Sequence, residues 1–85
     1  MSIIRKYILP MTWGTVKMIK NSKIVHAKVV DYSLKIYAIV DEEESEEVER
    51  TFNTYGNDEL IPSNFVYITT VFEGICVFHI FEEIK

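Results

Sequence analysis

The chain has 85 residues, a net charge of −4 and 48% hydrophobic residues, with three Gly, two Pro and one Cys. That composition suits one globular domain over residues 1–85 and excludes disordered, collagen-like and disulfide-framework classes. Seven of the nine basic groups (Arg5, Lys6, Lys17, Lys20, Lys23, Lys28 and Lys35) lie in residues 1–35 beside one acid, Asp31, whereas residues 36–85 hold two basic groups against twelve acids. A uniformly basic surface, and with it non-specific nucleic-acid binding, is excluded; a local basic patch that holds a small anion is not.

Residues 3–9 are β-branched and aromatic up to Pro10 and predict a first strand. Met11 to Gly14 reads as a connection, and Thr15–Ile19 as a short second strand with Val16 and Met18 on one side. Asn21-Ser22-Lys23 is turn chemistry. In Ile24–Val30, alternation puts Val25, Ala27 and Val29 on one face, with His26 and Lys28 on the other. Asp31-Tyr32-Ser33 turns the chain into Leu34–Val40, where Leu34, Ile36, Ala38 and Val40 alternate with Lys35, Tyr37 and Ile39. The two runs predict a hairpin.

Residues 41–49 carry seven of the thirteen acids and no apolar face, which predicts a solvated loop leading into a strand at Glu49–Tyr55. Gly56-Asn57-Asp58 and Ile61-Pro62-Ser63-Asn64 are connections. Phe65–Phe72 and Ile75–Phe81, separated by Glu73-Gly74, predict a tight hairpin, with residues 82–85 as a polar tail. About seven short, mostly antiparallel strands imply an all-β fold, a sheet pair or small barrel. A short helix in 41–49 or 57–64 would make it α+β.

The chemistry available is sparse. Cys76 and His79 lie three apart, on opposite sides of a strand, so they form no compact ligand pair, and no metal site or cofactor is expected. Cys76 reads as a buried small hydrophobe, His79 as a hydrogen-bonded core or cleft residue, and His26 as exposed. The five serines sit in termini and turns without a nucleophile elbow, and no phosphate-loop sequence is present, so the reading is a binding protein and not an enzyme. One candidate ligand site is Tyr37 or Tyr55 stacking a base, with Arg50, an N-terminal lysine and the backbone of Gly56 and Asn57 holding its phosphate. The alternative places Glu42, Glu43, Glu44, Glu46 and Glu47 against a basic partner, imitating nucleic-acid phosphates. The chain start lacks the apolar region of a signal peptide, and no apolar run is long enough for a bilayer, so the expected location is cytoplasmic, away from membranes.

Five segments stand in order: Lys6-Tyr7-Ile8-Leu9, Tyr37-Ala38-Ile39-Val40-Asp41, Arg50-Thr51-Phe52, Tyr67-Ile68-Thr69-Thr70 and Val77-Phe78-His79-Ile80-Phe81-Glu82. In this the chain resembles a family of small phage and bacterial proteins of unknown function. Its pattern reads Lys-Tyr-x-Leu, Ala-Leu-Val-Asp, Arg-Thr-Phe, Tyr-Ile-Gly-Thr and Val-Phe-His-Val-Phe-Glu. The family turn Gly-Thr-Gly-His-Pro-Ile-Pro is here Gly56-Asn57-Asp58-Glu59-Leu60-Ile61-Pro62, without the second Gly and the His. The resemblance implies a phage or prophage origin and a compact β-rich fold, and no known activity. With that origin, the expectation is a counter-defence factor in the host cytoplasm that sequesters a signalling nucleotide as a homo-oligomer. The alternatives are an inhibitor of a host nuclease or CRISPR effector through residues 41–49, and a phage structural or housekeeping protein.

Overall fold

The computed structural model describes residues 1–85 as seven strands and no helix. They are β1 (Ser2–Leu9), β2 (Gly14–Ile19), β3 (Lys23–Val30), β4 (Ser33–Asp41), β5 (Glu47–Tyr55), β6 (Phe65–Glu73) and β7 (Cys76–Glu83). Two antiparallel sheets form, one in the order β1-β4-β3 and one in the order β2-β5-β7-β6. The fold is thus an all-β sheet pair. Its shortest dimension, 18 Å, is that of two sheets about 10 Å apart plus their outer side chains.

Alternation explains the core. Leu34, Ile36, Ala38 and Val40 of β4 point inward, joined by Leu9 of β1 and by Ala27 and Val29 of β3. The four-stranded sheet answers with Met18, Ile19, Phe52 and Ile80. Leu34, Met18 and Phe52 are fully enclosed, so truncating any of them to Ala removes about 2–5 kcal/mol of packing.

The β3–β4 hairpin forms as the alternation predicts, with Val30 opposite Ser33 and only Asp31-Tyr32 in the turn. Both turn residues have positive φ, 51° and 61°, the conformation that matches the twist of a two-residue hairpin. The β6–β7 hairpin also forms, around Gly74 at φ 60°. Gly14 sits at φ 144° where the chain leaves one sheet for the other, a conformation that favours glycine. β5 and β6 both run antiparallel to β7, so residues 56–64 must travel back along the sheet to begin β6.

Four details differ from the sequence expectation. A bulge between Ile24 and His26 makes Val25 the extra residue; Ile24 packs against the core instead, and Val25 is exposed. β5 begins at Glu47, so only residues 42–46 connect β4 to β5. Glu82 and Glu83 extend β7 instead of forming a tail. Cys76 is exposed beside the β6–β7 turn, because that hairpin end projects past the core.

Glu82 is held in the strand by a charge. Arg50 Nε and Nη2 donate to its two carboxylate oxygens at 2.6 Å each, and Arg50 Nη1 donates to the Ser22 carbonyl at 2.7 Å. The two side chains are only 19% and 16% exposed. Ser22, the one buried polar residue, donates its hydroxyl to the Ile19 carbonyl. One guanidinium thus ties β5 to β7 and to the β2–β3 connection. Removing one partner leaves the other charge desolvated. Glu82→Ala should therefore cost about 2–3 kcal/mol in urea unfolding, and the paired change Arg50→Met with Glu82→Leu distinctly less.

Candidate functional site

The residues named for a ligand do not converge. Arg50 and Tyr55 are five apart on one strand, so alternation sends them to opposite faces of the sheet. Arg50 has its fork filled by Glu82 and Ser22 and lies 5.8 Å above the Phe52 ring. Tyr55 is 8% exposed. Its ring meets Phe65 and Phe81 edge-on at 6.0 and 5.5 Å, and Phe81 meets Tyr67 at 5.6 Å. These rings form a second apolar cluster on the outside of the four-stranded sheet, worth about 0.5–1.5 kcal/mol per pair beyond burial.

Gly56 and Asn57 belong to the connection next to that cluster. The Gly56 N–H donates to Glu59 Oε1 at 2.6 Å, and Asn57 Oδ1 lies 2.7 Å from His79 Nε2. Asn57 Oδ1 can only accept, so His79 carries its proton on Nε2 and donates there. Nδ1, when neutral, then accepts from Thr70 Oγ1 at 2.8 Å, and the Tyr67 hydroxyl lies 2.8 Å from the same Thr70 oxygen. His79 is thus hydrogen-bonded on both nitrogens and pins the connection to the sheet.

Tyr37 stands apart, half-buried on the outer face of the three-stranded sheet. Register builds rows around it. Lys6, Tyr37 and His26 lie side by side across β1, β4 and β3, with the His26 and Tyr37 rings 5.7 Å apart. The next row is Ile8, Lys35 and Lys28; the row on the other side is Ile4, Ile39 and Lys23. The three strands contain one acid, Asp41, paired with Ser2 at the far end of the face. The ion pairs of the molecule, Lys20 with Glu46 and Arg50 with Glu82, involve none of these lysines.

Sequence reasoning placed His26, Lys28, Lys35 and Tyr37 outward but did not assemble them. The signal was there for β3 and β4, since a two-residue turn fixes which residues face one another. Nothing in the sequence announced that β1 would pair with β4 and add Lys6.

The acidic residues are dispersed. Glu42, Glu43 and Glu46 are exposed on the β4–β5 connection, Glu44 is half-buried, and Glu47 opens β5. Asp41 shapes the turn, accepting from the Glu43 N–H through Oδ1 at 3.0 Å and from the Glu44 N–H through its carbonyl at 3.0 Å. Glu46 meets Lys20 at 3.6 Å.

The family described as a domain of unknown function (DUF7352) matches residues 1–85, and the chain belongs to it. No curated protein and no solved structure matches the chain.

Lys28 and Lys35 face each other directly across two strands, an arrangement that destabilises a sheet by up to about 1 kcal/mol. Lys28→Gln should accordingly raise the melting temperature by about 2–4 °C in low salt, and the gain should shrink in 1 M salt as the repulsion is screened.

Proposed function

We propose that this is a non-catalytic binding protein that sequesters a nucleotide on the outer face of its three-stranded sheet. The observation that supports the reading is the row Lys6–Tyr37–His26 flanked by the opposed Lys28 and Lys35. A tyrosine ring with Lys6 beside it and Lys28 and Lys35 in the next row suits a base stacked on its face and a phosphate beside it. Base stacking on an aromatic ring contributes about 1–3 kcal/mol. Lys6 and Lys35 take over the phosphate-holding role that the sequence assigned to Arg50, whose donors are committed to Glu82 and Ser22. Tyr37 lies on this face, whereas Tyr55, Gly56 and Asn57 belong to the four-stranded sheet and its connection.

A sheet face touches a ligand on one side only, so a homo-oligomer in which a second copy covers the other side completes the enclosure. The small size of the chain also favours association, because short chains bury a smaller share of their surface. The phage origin and the counter-defence role in the host cytoplasm rest on the resemblance of the five sequence segments to small phage proteins. A second reading, inhibition of a basic host protein, is favoured by the exposure of Glu42, Glu43, Glu46 and Glu47.

The test is a thermal-shift screen against linear and cyclic nucleotides, with the mass in solution recorded alongside. Binding to the folded state alone raises stability by RT ln(1 + [L]/Kd), about 2.7 kcal/mol at a hundredfold excess over Kd. One nucleotide should therefore raise the melting temperature by several degrees in the native chain and by far less in Tyr37→Ala. No shift with any nucleotide would contradict this reading and pass the weight to the acidic connection.

A further inference from the structure

The arrangement of cations on this face narrows the ligand. We infer that it is a short oligonucleotide presenting at least two phosphates with a base between them, a refinement that rests on the nucleotide reading above. Lys35 lies two residues before Tyr37 on β4, and Lys23 is opposite Ile39, two residues after it. Same-face residues two apart are about 6.8 Å apart along a strand, so the Lys28–Lys35 row and the Lys23 row are separated by about 14 Å. A base stacked on Tyr37 occupies the space between the rows, so a single phosphate beside that base meets one row and not both. Two phosphates on either side of a base stacked on Tyr37 can meet both, with Lys6 and His26 flanking the stacked base.

The face also sets an upper length. Beyond the Lys23 row come Ser2 and Asp41, and then the exposed Glu42 and Glu43. A longer strand would run its phosphates into carboxylates. At the other end, beyond Lys28 and Lys35, the β3–β4 turn carries the exposed Asp31, whose N–H donates to Glu73 Oε2 at 2.7 Å. Carboxylates thus bound the basic track at both ends, which favours two or three phosphates and disfavours a duplex. The opposed Lys28 and Lys35 supply an independent reason. Their repulsion opposes the fold, and a bound phosphodiester placed between them relieves it.

Two sources supply this chemistry, a cyclic oligonucleotide and a linear single strand. Calorimetric titration of the full chain with adenosine 5′-monophosphate, a cyclic dinucleotide and a linear thymidine trinucleotide, each at 50 and 200 mM salt, separates them. The cyclic or the linear compound should bind at least tenfold more tightly than the monophosphate. Its log K should fall with log salt at a slope of about −1.4 or steeper, the value for two phosphates. Lys23→Gln and the double change Lys28→Gln with Lys35→Gln should each weaken that compound severalfold and flatten its slope by about 0.7, while the monophosphate loses affinity to one of them at most. Whichever oligonucleotide binds more tightly identifies the source. Equal affinity for the monophosphate would overturn the two-phosphate assignment and leave the nucleotide reading standing. Binding that ignores all three lysines would overturn the assignment to this face, and no binding by any compound would remove both readings.

Discussion

An 85-residue chain has enough apolar side chains for one core, and here that core is the layer between two sheets. Leu9, Leu34, Ile36, Phe52 and Ile80 fill it. Because strand residues alternate, each inward side chain commits its neighbours to the outside. Every residue able to meet a partner therefore lies on an outer face or a connection. The outer faces differ in chemistry. The four-stranded sheet presents Tyr55, Phe65, Tyr67 and Phe81 packed against one another, with His79 hydrogen-bonded on both nitrogens. The three-stranded sheet presents lysines, His26 and Tyr37, with carboxylates at its two ends, Asp41 on β4 and Asp31 in the β3–β4 turn.

The same logic separates structural charge from available charge. Arg50 has inward parity on β5, where a guanidinium needs a partner, and Glu82 supplies it with two 2.6 Å bonds. A cation so engaged offers little to an anion from solution. Lys6, Lys23, Lys28 and Lys35 have outward parity, and Lys28 and Lys35 lie opposite each other at a cost to the sheet.

Much of this was legible from residues alone. Alternation in 24–40 gave the hairpin and its outward face, and the aromatic and β-branched runs on either side of Gly74 gave the second hairpin. Parity alone would have parted Arg50 from Tyr55, since an odd spacing on a strand means opposite faces. Other features depend on contacts between distant segments. The bulge at Val25 arises because Ile24, not Val25, has a place against the core. Glu82 looks like part of a polar tail until Arg50 is placed beside it. The pairing of β1 with β4, which brings Lys6 next to Tyr37, is a choice among strands that local sequence does not encode.

The proposed binding surface is the outer face of the three-stranded sheet. Backbone amide shifts of the isotope-labelled chain, followed by NMR during titration with the oligonucleotide that binds most tightly, locate it residue by residue. Changes should concentrate in β1, β3 and β4 around Lys6, His26, Lys28, Lys35 and Tyr37, with Arg50 and residues 55–57 unmoved. Changes centred on Arg50, Tyr55, Gly56 and Asn57, with the lysine face silent, would contradict it.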